Sequence, residues 1–110
     1  YDERVTVSPV DFKVDRGSSD TFTVSIVNDL EGTKTFTIEI IPDEGNVLDE
    51  DELSLQYAKS ATIAQDKQYN TEIKAKAEGK SRLESNLYQM RVTSDGEIYD
   101  EKTFFVEVVK

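Results

Sequence analysis

The chain of 110 residues has no cysteine, no histidine and no tryptophan. Without Cys there are no disulfides, so nothing about the redox compartment can be read from them. One argument for a eukaryotic secreted module falls away, and a prokaryotic surface protein stays open. Without Cys and His, thiol and imidazole nucleophile systems are ruled out, as is a cupredoxin-type copper site, and zinc is nearly so. Ser-x-x-Lys and a glycine-rich phosphate loop are also missing, and acids are too abundant for any carboxylate pair to indicate glycoside hydrolysis. No apolar run approaches the ~20 residues that span a bilayer. The chain starts at Tyr1 rather than Met, as an excised domain or mature fragment would, which leaves room for a signal peptide or anchor upstream.

Positive charge is scarce as well. Thirteen Lys and Arg stand against 23 Asp and Glu, a net charge of −10. The excess lies in residues 1–55, while residues 56–110 balance. A domain of this sign repels phosphate backbones and anionic bilayers, so neither nucleic acid nor direct membrane insertion is expected.

What the chain does have is β-branched residues: Ile, Val and Thr make up 28 of the 110. Such side chains favour strands. In residues 21–41, Phe22, Val24 and Ile26 alternate with Thr21, Thr23 and Ser25, and Phe36, Ile38 and Ile40 alternate with Thr35, Thr37 and Glu39. Period-two alternation places one face in a core and the other in water. The connection through Asn28, Asp29, Glu31 and Gly32 suits either a hairpin or a crossing between sheets.

Earlier in the chain, Val5 and Val7 start a strand that Pro9 interrupts, and Val10, Phe12 and Val14 resume it. Such a break is expected where an edge strand changes sheets. After Pro42 comes an acidic loop, residues 43–52. Leu53, Leu55 and Tyr57 suggest a short strand or a helical turn, and Ala61 and Ile63 form a weak patch. Residues 68–77 carry Tyr69, Thr71, Ile73, Ala75 and Ala77 on one face. They fit a strand better than a helix, because their neighbours are strands. Tyr88, Met90 and Val92 point inward from residues 87–93. Ser94-Asp95-Gly96 is a turn signal, and residues 97–109 form the last strand, with Phe104, Val106 and Val108 on one face. Seven or eight short strands between turns predict one all-β domain over 1–110, an immunoglobulin-like two-sheet antiparallel β-sandwich.

The stretch SPVDFKVDRGSSDTFTVSIVN, with the later SNLYQMRVT, resembles prokaryotic immunoglobulin-like cell-envelope domains of the CARDB-type, alpha-galactosidase-associated and transglutaminase-linked kinds. Asn86-Leu87 stands where a Gly often precedes the Tyr. The resemblance implies modules that space, stiffen or adhere at cell surfaces, with no catalytic residues. It also implies that Tyr88 is a tyrosine-corner residue bonded to a backbone group upstream.

Four groups of residues stand out as candidates. Calcium takes roughly six to eight oxygens, so Asp43, Glu44, Asp49 and Asp51 of the acidic loop are candidate ligands, although the spacing is not that of an EF-hand. The competing reading is a solvated cap, and no other cofactor is expected. Lys74, Lys76, Lys80 and Arg82 form a basic group that suits an acidic partner, such as the acidic loop of a neighbouring copy, or simply a solvated face. Ile41, Phe105 and Val109 face away from the core if residues 34–41 and 97–109 flank residues 87–93, and Arg91 and Glu107 border them. That is a candidate partner-binding patch. Phe105, Tyr57 and Tyr99 are the outward aromatics that a glycan-binding face would need.

The expected function is therefore a non-catalytic extracellular structural or adhesion module at a prokaryotic cell surface, an archaeal one included, contacting other protein domains or copies of itself. The alternatives are a carbohydrate-binding accessory module of a secreted enzyme and a surface-layer-anchoring domain of an archaeal motility or pilus machine. A protease inhibitor is disfavoured, because the loops lack an apolar bait.

Overall fold

A computed structural model describes residues 4–110. Among these described residues nine strands run in chain order: β1 Val5–Ser8, β2 Asp11–Asp15, β3 Ser19–Val27, β4 Lys34–Pro42, β5 Leu53–Gln56, β6 Ser60–Ile63, β7 Gln68–Ala77, β8 Ser85–Ser94 and β9 Glu97–Val109. They form a four-stranded sheet, β1-β3-β7-β5, and a five-stranded sheet, β2-β9-β8-β4-β6. The fold is an all-β immunoglobulin-like sandwich. It is mainly antiparallel, and the pairing of β2 with β9 is parallel. Among the described residues no helix is long and apolar enough to cross a membrane.

The connection after β3 is a crossing, since β3 and β4 lie in different sheets. Buried Asn28 holds it: its Nδ2 donates to Gly32 O and Ile63 O, and its Oδ1 accepts from Leu30 N. The segment around Pro9 also changes sheets, with β1 on β3 and β2 on β9. Residues 53–63 do the same on the opposite side, β5 pairing with β7 and β6 with β4. Each open side of the sandwich is therefore covered by one segment that leaves one sheet for the other. The edge strands are only 4 or 5 residues long, a length that discourages edge-to-edge pairing.

The alternation seen in the sequence sets the core. Phe22, Val24, Ile26, Ile73, Ala75 and Ala77 face Phe36, Ile38, Met90, Val92, Phe104, Val106 and Val108, all buried. Phe22 lies 4.6 Å from Phe12 and 5.4 Å from Phe104, ring centre to ring centre, within the range of favourable aromatic packing. Asp95 and Gly96 both take positive φ, 55° and 80°, which closes the β8–β9 hairpin with the twist its strands require. A register shift at Val92/Thr93 lies just before that turn.

Leu48 departs from the picture of a wholly solvated acidic loop. It is buried and plugs the end of the core, because Asn86 secures it: Asn86 Oδ1 accepts from Leu48 N and Asn86 Nδ2 donates to Leu48 O.

Candidate functional site

β8 is the central strand of the five-stranded sheet, paired with β4 and β9. Residues two apart on a strand share a face, so inward Tyr88, Met90 and Val92 leave Leu87, Gln89, Arg91 and Thr93 outward. On the outer face Leu87 pairs with Phe105, Gln89 lies between Ile41 and Thr103, and Arg91 lies between Glu39 and Glu101. Phe105 is 46% exposed in mid-strand. Ile41, Leu87, Gln89 and Thr103 line a shallow groove of about 340 Å³ beside it. Ile41, Leu87 and Phe105 thus form one patch. Val109 is half-buried, on the same face but beyond Glu107. Arg91 borders the patch, with its guanidinium 3.6 Å from Glu101 and 4.0 Å from Glu39. Leu87 is the member that the sequence reading did not name, although its place before inward Tyr88 marks it as outward.

The acidic loop is arranged differently. Asp43 Oδ2 accepts from Gly45 N at 2.9 Å and Asp49 Oδ1 from Asp51 N at 3.0 Å, so both carboxylates brace their own turns. Among the described residues no three acids converge as metal ligands would. Asp43, Glu44, Asp49 and Asp51 are not brought together. Glu52, in contrast, is firmly paired. Arg82 Nη2 donates to its Oε1 at 2.6 Å, and Arg82 Nε and N donate to its Oε2 at 3.0 Å. These bonds from Arg82 hold the Glu52 carboxyl at about 2, well below the usual carboxylate range, and raise the Arg82 guanidinium further. Of the basic group, then, Arg82 is engaged by the acidic loop of its own chain, and Lys76 lies 3.5 Å from Glu78. Lys74 and Lys80 are exposed.

Two tyrosines depart from expectation. The Tyr88 hydroxyl does not reach an upstream backbone group. It accepts from Asn86 Nδ2 at 3.0 Å, because Asn86 stands two residues earlier on the same buried face. Burial pushes its phenol up, the Asn86 bond partly offsets this, and Glu50 adds to the rise. The tyrosine that reaches back is Tyr99, whose hydroxyl donates toward Val27 O and Asp29 Oδ1 and accepts from Asp29 N. Tyr99 is not an outward aromatic. It is buried against Phe36 at 4.8 Å, with the Arg4 guanidinium 4.6 Å from its ring centre. Burial raises the Tyr99 phenol. At Asp29 burial acts to raise the carboxyl, but the bonds from Tyr99 and Arg4 outweigh it, and the group lies below its ordinary value. Tyr57 is half-buried, its hydroxyl accepting from Ile40 N. The three aromatics therefore do not line up as a platform for a sugar.

Comparison with known proteins places the fold. No family model matches the chain, and no curated protein does, so the resemblance to CARDB-type and alpha-galactosidase-associated domains stays at the level of a generic immunoglobulin-like sandwich. Among solved structures, the chain is similar to domains 4 and 5 of the S-layer protein SbsC, at 15% identity and TM-score 0.57, covering 98% of this chain and 46% of that one. It is similar to SSP-19, an MSP-domain-like protein of Caenorhabditis elegans, at 12% identity and TM-score 0.56, covering 96% and 99%. It is also similar to part of a family 123 glycoside hydrolase from Clostridium perfringens, at 11% identity and TM-score 0.62, covering 89% of this chain and 22% of the hydrolase. Identities this low establish a shared fold.

Proposed function

We propose that the chain is a non-catalytic structural module that makes protein–protein contacts at a prokaryotic cell surface, through the outer face of the five-stranded sheet. The observation that carries this reading is Phe105, 46% exposed in mid-strand with Leu87 directly across from it. A ring in that position leaves apolar area in water that a partner would remove, at roughly 25 cal/mol per Å². The charged residues flank the patch rather than interrupt it, as in protein interfaces with an apolar centre and a polar rim. The absence of His and Cys supports the non-catalytic reading, and the sandwich shared with an S-layer protein supports the cell-surface one by analogy of fold.

The test is a photo-crosslinking residue placed at Phe105 in the full-length protein in its own host, with the same residue at Thr23 on the other sheet as control. A discrete protein adduct from position 105 and none from position 23 is expected. No adduct at 105, or the same adducts from both, overturns the reading.

A further inference from the structure

A second cleft opens on the side of the sandwich, away from the Phe105 face. β6 pairs with β4 only over Lys34–Thr37, while β4 continues to Pro42 with β8 on its other side. The last residue of β4 to meet the covering segment through its backbone is Ile38, whose N–H donates to Lys59 O. Beyond it no strand occupies that edge. β5, in the other sheet, pairs with β7 alone. Two strand edges, one from each sheet, therefore flank a cleft of about 420 Å³, whose walls include Ile40, Leu48, Leu55, Tyr57 and Tyr88.

Two tyrosine hydroxyls in this cleft have a proton to spare, and the cation in its wall, Lys59, is held against the Tyr57 ring with its Nζ 3.7 Å from the ring centre. Ile40 N, which would bond a carbonyl of an adjacent strand, is capped instead by the Tyr57 hydroxyl at 3.1 Å. That hydroxyl acts as acceptor, so its own proton is available. Tyr88, 6% exposed, accepts from Asn86 in the same way and keeps its proton too. At the mouth stand Asp49 and Glu50. Glu50 is close enough to raise the Tyr88 phenol.

We infer that this cleft binds an extended, basic peptide segment that lies along the β4 edge beyond Ile38, with its carbonyls accepting from Tyr57 and Tyr88, an apolar side chain between Leu48 and Leu55, and a Lys or Arg at Asp49 and Glu50. Strand addition of this kind draws affinity from main-chain bonds and specificity from alternate side-chain pockets. The carboxylates at the mouth select a cationic residue, and the β4 edge that no strand covers beyond Ile38, with Ile40 N already held by Tyr57, sets the direction of an extended backbone. The cleft shares Pro42 and Tyr88 with the groove beside Phe105, but Ile41, Leu87 and Phe105 are not among its walls.

The test pans a display library of random linear peptides against the protein and maps an enriched peptide by amide chemical shifts. Enrichment of sequences alternating apolar residues with Lys or Arg is expected, with shifts centred on Ile40, Leu48, Leu55 and Tyr57. Reversing charge at the exposed mouth, with Asp49→Lys and Glu50→Lys together, is expected to weaken binding at least about tenfold, whereas Phe105→Lys leaves it unchanged. No enrichment, shifts centred on Leu87 and Phe105, or affinity indifferent to Asp49→Lys and Glu50→Lys would each overturn the inference. The Phe105→Lys arm keeps its failure distinct from failure of the surface reading.

Discussion

The four-stranded sheet turns Thr21, Thr23, Ser25, Asn70, Glu72 and Lys74 to water, and short polar ladders tie them together: Thr21 to Glu72 at 3.1 Å and Ser25 to Asn70 at 2.7 Å. The five-stranded sheet turns out Ile41, Leu87 and Phe105 beside an ion pair strung across three strands. Inside, the sheets differ too. The four-stranded one brings a single ring, Phe22, with Val24, Ile26, Ile73 and Ala75 to the core, while the five-stranded one brings the rings of Phe12, Phe36, Tyr88, Tyr99 and Phe104. Both obey the same alternation. The lesson is that a wet face is not by necessity a polar one: the pleat decides which side chains point outward, and only what they meet there decides their chemistry.

The largest expected effect tests the alternation itself. Phe104→Ala should cost about 3–5 kcal/mol, since the ring is fully buried and stacks on Tyr88 at 5.5 Å. Phe105→Ala, one residue on, should cost under about 1 kcal/mol. Urea melts of the two variants check this, and near-equal losses would mean that the two faces are not distinct.

Next come the tyrosines that distinguish the five-stranded sheet. Tyr99→Phe leaves Val27 O and Asp29 without their shared hydroxyl and should cost about 1–2 kcal/mol. Tyr88→Phe gives up a single bond from Asn86 and should cost about half as much. With Tyr99→Phe the Asp29 carboxyl also loses a bond that lowers it, so its titration, followed by carboxyl chemical shifts, should move upward.

A smaller effect concerns the end of the sandwich where the acidic loop meets Arg82. Glu52 has its folded pKa depressed from 4.5 to about 2. Its contribution is therefore fully present above 4.5 and is lost as pH falls toward 2. Glu52→Gln should flatten the decline of melting temperature across that window. Smallest of all, Thr23→Val on the polar face should shift stability by no more than about 0.5 kcal/mol.

Much of this was legible in the residues. The strands at 21–28, 34–41, 68–77 and 97–109 follow from alternation to within two residues at their ends, and the outward setting of Ile41, Phe105 and Val109 follows from the same parity. The count came out at nine rather than seven or eight because the segment around Pro9 makes two strands and residues 60–63 make a further one. The sequence suggests an outward Tyr99, yet the ring is buried. Its ring is held by Arg4 and Asp29, partners 95 and 70 residues away, and no local pattern signals such a contact. The buried roles of Asn86 and Leu48 were hidden for the same reason, as each is satisfied by the other across 38 residues.

The sequence by itself determined the core face of the long alternating strands, because the two-residue period of an extended backbone is a property of neighbouring residues. It determined the acidic balance and the lack of imidazole and thiol chemistry as well. Only the tertiary structure decided that β3 and β4 part into different sheets, that Arg82 clasps Glu52 of the acidic loop, and that Leu87 joins Phe105. These facts depend on contacts between residues far apart in the chain, whose pairing is chosen by the packing of the whole sandwich and not by any segment within it.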